Sequence, residues 1–352
     1  MNRQKVALIL LILLVISGIL YMWPSLPFNQ KELRFPDIIS SPDANTNIVS
    51  GQKFSLSLNE TKLSSQDSII ISLNNKRLHK ISNQYSYELE TTGMPLGYHV
   101  IDVEVYRGSK NKKVELPFII VSDIQPVPAI HTIIKIINRD TNSYTQGFEI
   151  ADGILYESGG QIGRSLIRKV NPKTGVVIKS VETDKNLFAE GLTVLNDKVY
   201  QLTWQNGVCL IYDKDLNLIK KTGFKSTNGE GWGLCNDGKS LILSDGSNKL
   251  SYLNPVTLEV EKIISVFAGS KEVNLLNELE YVDGFIYANI YTSDQIAKID
   301  AATGKVMSVA IISGLDKANP KGDVLNGIAW NPATKNFLIT GKSWGKIYEV
   351  SF

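Results

Sequence analysis

Glu190 stands in a repeated frame of polar and aromatic residues that could do chemistry. Five tripeptides share one pattern: Gln146-Gly147-Phe148, Glu190-Gly191-Leu192, Trp232-Gly233-Leu234, Asn277-Glu278-Leu279 and Asn326-Gly327-Ile328. They recur at intervals of 44, 42, 45 and 49 residues. Their first members are a carboxylate, three carboxamides and an indole, unusual company for ordinary turns. Phe188, Trp204, Tyr291, Lys342 and Trp344 lie close to the same frame. Together they describe an aromatic-walled pocket holding one acid, one amine and several amide hydrogen-bonding groups. A carboxylate packed between rings loses hydration, which raises its pKa and suits it to take up and return a proton.

Each of these residues also has an ordinary structural use. Glu190 could cap backbone N–H groups, and Asn277 and Asn326 could close turns at strand ends. Lys342 could be a solvated strand end. Trp330 and Trp344 read as packing residues, whereas Trp204 and Trp232 sit at equivalent positions facing one channel.

Composition removes several kinds of chemistry. Lys and Arg number 37 against 35 Asp and Glu, so no basic field exists to hold a nucleic-acid backbone. The three histidines are His79, His99 and His131, all in the first 131 of 352 residues. A Ser-His-Asp triad, a Cys-His pair and a His-ligated zinc site are therefore excluded from the C-terminal two-thirds. Cys209 and Cys235 are too few for a disulfide framework or a four-thiolate site and read as buried thiols.

The elements that must position the frame are strands. Each period opens with a strand at the tripeptide, and a turn such as Asp152-Gly153, Asn196-Asp197 or Asp283-Gly284 leads into a second. Third strands end in turns such as Asn171-Pro172-Lys173-Thr174-Gly175, and a fourth strand follows. A period of 42 to 49 residues with four strands is that of a propeller blade. The last period stops at Phe352 one strand short, and a spare strand exists at His131 to Ile137. Pairing the two hides both edges, so the expected fold is all-β, a five-bladed β-propeller over residues 129–352. The first strands would then line the central channel, with the frame residues converging at one end. An open sandwich gives no reason for such a period.

The region before the propeller is organised differently. Residues Val6 to Trp23 carry no charge, Arg3 and Lys5 precede them, and the next cation is Lys31. This predicts a membrane anchor or a signal segment at 1–23 and export of the rest, to a periplasmic or other extracytoplasmic site at the inner membrane. Residues 24–43 read as a Pro- and Ser-rich linker. Strand-like runs at Lys53 to Leu58, Ser68 to Leu73, Tyr85 to Glu90, His99 to Tyr106 and Val114 to Val121 predict a small immunoglobulin-like β-sandwich over 44–125. His99 reads as an exposed strand residue, Pro126-Val127-Pro128 as a stiff boundary, and nothing identifies a partner for the sandwich.

Several separated motifs then resemble one family. Tyr144-Thr145-Gln146-Gly147, Phe188-Ala189-Glu190-Gly191-Leu192-Thr193, Tyr200-Gln201-Leu202-Thr203-Trp204 and Gly229-Glu230-Gly231-Trp232-Gly233-Leu234 resemble the plant-type glutaminyl cyclases, a family with bacterial members. The resemblance continues through Leu276-Asn277-Glu278-Leu279-Glu280, Leu325-Asn326-Gly327-Ile328-Ala329 and Thr340-Gly341-Lys342, and covers residues 131–352 in unbroken order. It implies a five-bladed propeller and cyclisation of N-terminal glutamine in peptides or proteins to pyroglutamate, with loss of ammonia. It also implies Glu190 as the catalytic acid/base and Gln146, Phe188, Trp204, Trp232, Asn277, Tyr291 and Lys342 as substrate-binding residues. Tyr144 stands where Phe is usual and Tyr291 where many members have Trp.

The residue set is compatible with that reaction. Attack of the α-amine on its own carboxamide needs no protein nucleophile and no cofactor, only positioning and one proton carrier. Asn277 or Lys342 could stabilise charge on the carboxamide oxygen. A structural metal in the channel is left open. Two other readings use the same residues: a calcium-dependent, lactonase-like hydrolase with Glu190, Asn277 and Asn326 as oxygen ligands, and a peptide-binding propeller without turnover.

Overall fold

The computed structural model describes residues 38–312 and 314–352. The segment at 1–23 and most of the 24–43 linker lie outside the described residues. All 31 elements among the described residues are β-strands, so the chain is all-β.

Strands before residue 122 form two sheets. One has Ile39–Ser41, Lys53–Leu58 and Ser86–Glu90; the other runs Thr46–Val49, Lys110–Val121, Gly97–Arg107, Ser68–Leu73 and Lys76–Ile81. Ile39–Ser41 lies inside the span read as linker, with buried Ile39 opposite Leu58. The chain divides into two compact units. The smaller takes in the described residues up to Pro42, Leu56–Tyr87 and Asp102–Glu115; the larger takes in Asp43–Ser55, Glu88–Ile101 and Leu116–Phe352.

In the smaller unit, Asn74 and Asn75 both have positive φ, the geometry of the two-residue hairpin between Ser68–Leu73 and Lys76–Ile81. Arg107 pairs with buried Asp67 at 2.6 Å. In the larger unit, His99 corrects the reading from sequence: it is buried, stacked on Phe118 at 5.5 Å, with Nε2 2.8 Å from the Pro95 carbonyl. Side chains alternate along a strand, so the buried Ile101 carries His99 to the same inward face.

Five sheets follow in the larger unit, each with four antiparallel strands and one of them with a further edge strand. The first is Thr145–Ala151, Ile154–Gly159, Leu166–Val170 and Val177–Glu182; the second is Ala189–Leu195, Lys198–Thr203, Val208–Asp213 and Leu218–Gly223. The third is Leu234–Asn236, Leu241–Ser244, Lys249–Leu253 and Val260–Ser265, and the fourth is Leu276–Val282, Phe285–Ile290, Gln295–Asp300 and Val306–Ile311. The fifth joins Leu325–Asn331, Asn336–Gly341 and Lys346–Ser351 to Thr132–Asn138, with Ile133 opposite Val350 and Ile137 opposite Ile347. Within Pro126–Pro128, the stretch read as a boundary, Val127 begins a short strand, Val127–Ala129, that adds to the fourth sheet as a parallel edge strand. Proline lacks a donor and is tolerated at such an edge.

Local chemistry builds the hairpins. Asp152-Gly153, Asn196-Asp197 and Asp283-Gly284 have positive φ at both positions, which lets two residues reverse the chain without splaying the strands. At the outer turns a side-chain oxygen takes the free amides: Asn171 Oδ1 accepts from Lys173 and Thr174, and Asp300 Oδ1 from Ala302 and Thr303.

The first strands touch their neighbours in cyclic order, the first strand of sheet one meeting that of sheet five. The approach is close: a Cβ on Gly147 would overlap the Leu192 amide, and one on Gly233 the Asn277 carbonyl. In the fourth sheet Glu278 takes the place of the glycine, and its carboxylate reaches across. Oε1 accepts from Phe148 N at 3.0 Å and Oε2 from Ile328 N at 2.7 Å. Burial first, and the nearby Glu280 charge second, push its pKa well above the usual carboxylate range. Glu278→Ala strands two buried donors and is expected to cost about 2–4 kcal/mol. A denaturant titration reads it, and an unchanged midpoint would reject this role.

Candidate active site

Antiparallel pairing places the start of each first strand beside the end of the second. Gln146, Glu190 and Asn277 lie at first-strand starts, where the pairing register shifts between Thr145 and Gly147, Ala189 and Leu192, and Leu276 and Leu279. Phe188 immediately precedes one such strand, Trp232 lies two residues before another, and Trp204, Tyr291 and Lys342 immediately follow second strands. All eight residues named from sequence, with Tyr144, line one cavity of about 200 Å³. The frame's remaining members sit behind or beside it. Asn326 Nδ2 donates to Gln146 Oε1 at 3.2 Å and to the Thr145 carbonyl at 3.0 Å. Trp344 is buried and donates to the Asp323 carbonyl, and Trp330 packs on Phe337.

Glu190 is held by this arrangement. Gln146 Nε2 donates to Glu190 Oε1 at 3.0 Å, so Asn326, Gln146 and Glu190 form one directed chain. Glu190 is 5% exposed. Burial raises its pKa well above the ordinary range; Lys342 opposes the shift and Glu230 adds to it. The direction is the one expected of a carboxyl between aromatic walls.

Lys342 is buried, with Nζ 4.6 Å from the Tyr291 ring centre and 5.0 Å from that of Tyr144. Burial lowers its pKa, with Glu190 and Asp323 acting against the shift. Tyr144 is fixed by its hydroxyl, which donates to Asp323 at 2.7 Å. Asn277 Oδ1 is buried without a hydrogen-bond partner, an acceptor awaiting a donor.

The walls are two edge-to-face ring pairs, Phe188 with Trp204 at 5.7 Å and Trp232 with Tyr291 at 5.4 Å. Trp204 is 37% exposed and forms the rim. Trp232 lies against Gly246, whose φ is +79° and where any Cβ would enter the indole. Cys209 and Cys235 are free and buried, away from this lining. Among the described residues, no three His, Cys, Asp or Glu side chains are grouped to hold a metal ion.

Glu230 has no site role in the sequence reading, and Tyr144 only that of keeping an aromatic wall. Tyr144 was visible only as a departure within a motif. Glu230 accepts from the indoles of both Trp204 and Trp232 at 2.8 Å, and its signal was its position two residues before Trp232.

Comparison with known proteins agrees with the motifs. A family model described as glutamine cyclotransferase matches residues 112–352. A glutaminyl-peptide cyclotransferase of Arabidopsis thaliana is 39% identical over 218 residues, 60% of this chain and 68% of that protein. The crystal structure of Myxococcus xanthus glutaminyl cyclase aligns with a TM-score of 0.59 at 33% identity, covering 64% of this chain and 98% of that one.

Proposed function

The chain belongs to the glutamine cyclotransferase family and is a glutaminyl-peptide cyclotransferase, and we propose that the cavity around Glu190 is where an N-terminal glutamine becomes pyroglutamate. The observation that carries this is a buried carboxyl of raised proton affinity, held by Gln146 in an aromatic cavity that also contains Lys342 and an unpartnered Asn277 oxygen.

The α-amine nitrogen attacks the carboxamide carbon of its own side chain. A C–N bond forms, the carbonyl π electrons move to oxygen, and their return expels the amide nitrogen as ammonia. The proton lost by the attacking nitrogen passes to Glu190 and from there to the leaving nitrogen, so none is gained or lost overall. Lys342 stabilises the charged oxygen. Asn277, read from sequence as a candidate for the same task, has its oxygen unpartnered and is better placed to accept an N–H of the substrate. The ring pairs exclude water and hold the five-membered-ring geometry, which supplies much of the acceleration. No step calls for a metal or cofactor.

The same reading extends to the molecule. The five sheets, with first strands adjoining in cyclic order, support a five-bladed propeller closed by Thr132–Asn138. The two sheets before residue 122 support the immunoglobulin-like domain. The charge pattern of residues 1–23 supports export and anchoring to the inner membrane.

A short peptide with N-terminal Gln should release one ammonia per molecule, and an N-acetylated copy none. Activity should survive prolonged chelation. Loss of activity on chelation, restored by Ca²⁺ without a change in folding, would overturn the metal-free reading in favour of oxygen ligands at Glu190, Asn277 and Asn326.

A further inference from the structure

Trp204 and Trp232 come from different sheets, and each packs against a different ring. Their backbones meet where Gly231 N donates to the Trp204 carbonyl, which leaves the indole rings themselves to be tied. One group touches both: Glu230 Oε2 accepts from Trp204 Nε1 and Trp232 Nε1, each at 2.8 Å, while Oε1 accepts from Gln205 Nε2 at 2.8 Å. We propose that Glu230 is a positioning residue for the cyclisation, a carboxylate clamp that ties the two indoles into one wall.

The loop that carries Glu230 is built to hold it. Asn228 Oδ1 accepts from Glu230 N at 3.0 Å, and Asp245 Oδ2 accepts from the backbone N–H groups of Thr227 and Asn228 at 3.0 and 3.2 Å. Gly231 N donates to the Trp204 carbonyl at 2.8 Å, fixing the loop to the residue it clamps. Indole is a donor only, so each Nε1–H at a pocket wall must find an acceptor or lose a hydrogen bond. An ionised acceptor makes the stronger bond. Glu230 remains ionised: partial burial works against its charge, but the bonds from Gln205, Trp232 and Trp204 outweigh it and lower its pKa. That charge is also one of the influences raising the proton affinity of Glu190. A carboxylate serving only as a solvated loop residue would need neither indole.

The clamp's catalytic consequence rests on the cavity being the cyclisation site, so the test reads the clamp separately from turnover. Glu230→Ala and Glu230→Gln are made in the full chain. The indole ¹H–¹⁵N signals of Trp204 and Trp232, assigned with Trp204→Phe and Trp232→Phe, report the clamp. KM, kcat and the pH profile with a short N-terminal Gln peptide report its effect. In E230A both indole signals should move and KM should rise about tenfold, the loss of one charge-assisted bond's worth of ordering. E230Q keeps one oxygen acceptor for the indoles but replaces the other by a donor NH2 and removes the charge, so its signals should move less and its KM rise less than in E230A. Unmoved signals and KM in E230A would overturn the clamp. Moved signals together with no ammonia release by wild type would instead overturn the assignment of the cavity.

Discussion

Glu190→Gln is expected to fold, bind an N-terminal Gln peptide and lose about 100-fold or more of its turnover, because an amide keeps the shape of the carboxyl and cannot carry a proton. Gln146 Nε2 can still donate to the oxygen of the new side chain, so the Asn326–Gln146 chain is preserved. Stability should change with a definite sign. The folded protein holds the Glu190 proton more tightly than the unfolded chain does. The stability this gives is complete below the unfolded pKa and is lost as pH rises through the folded value. Gln does not titrate, so the variant should gain in thermal midpoint relative to wild type between acid and alkaline pH. Ammonia release and melting at two pH values measure both effects. Turnover above a tenth of wild type would exclude the acid/base role, and an unchanged difference in melting would exclude the buried carboxyl's raised pKa.

Replacing residues 132–138 by a Gly/Ser segment of equal length is expected to abolish cooperative unfolding and cause aggregation. The strand Lys346–Ser351 would lose its outer partner and expose a row of unpaired backbone groups. The residues next to the replaced strand matter as much. Arg139 pairs with Glu157 at 2.7 Å, Glu157 with Arg168 at 2.8 Å, and Arg139 also donates to Thr340 of the fifth sheet and Thr145 of the first. Breaking such a buried pair costs about 3–5 kcal/mol, a large share of the roughly 5–15 kcal/mol that holds a domain folded. Burial opposes the Glu157 charge, but the Arg139 and Arg168 charges outweigh it and hold its pKa at about 2. The stability from this pairing is present above the unfolded carboxyl pKa and is lost as pH falls toward about 2, so acid should weaken the same junction. Size-exclusion and calorimetry test the replacement. A monomeric, cooperatively unfolding product would refute the closure.

The sequence by itself determined what depends on neighbouring residues. Asp152-Gly153, Asn196-Asp197 and Asp283-Gly284 reverse the chain through their own backbone preferences, so hairpins and their period were readable without any contact. That period put Gln146, Glu190 and Asn277 at equivalent strand starts, and Phe188, Trp204, Trp232, Tyr291 and Lys342 beside them, which is why one cavity collects all eight. The tertiary structure decided whatever rests on partners distant in the chain. His99 was read outward from its polarity, but the strand's alternation carries it inward with Ile101 onto Phe118. Val127–Ala129 has the composition of a linker and became a strand because the Val306–Ile311 edge accepts it. Glu278 looked like one more strand residue, yet it satisfies amides on two other sheets. Glu230 and Tyr144 acquire their places from contacts with two indoles and with Asp323 that no local pattern marks. Backbone preference and periodicity are local quantities carried by the sequence, whereas a hydrogen bond across sheets exists only once packing has brought its two ends together.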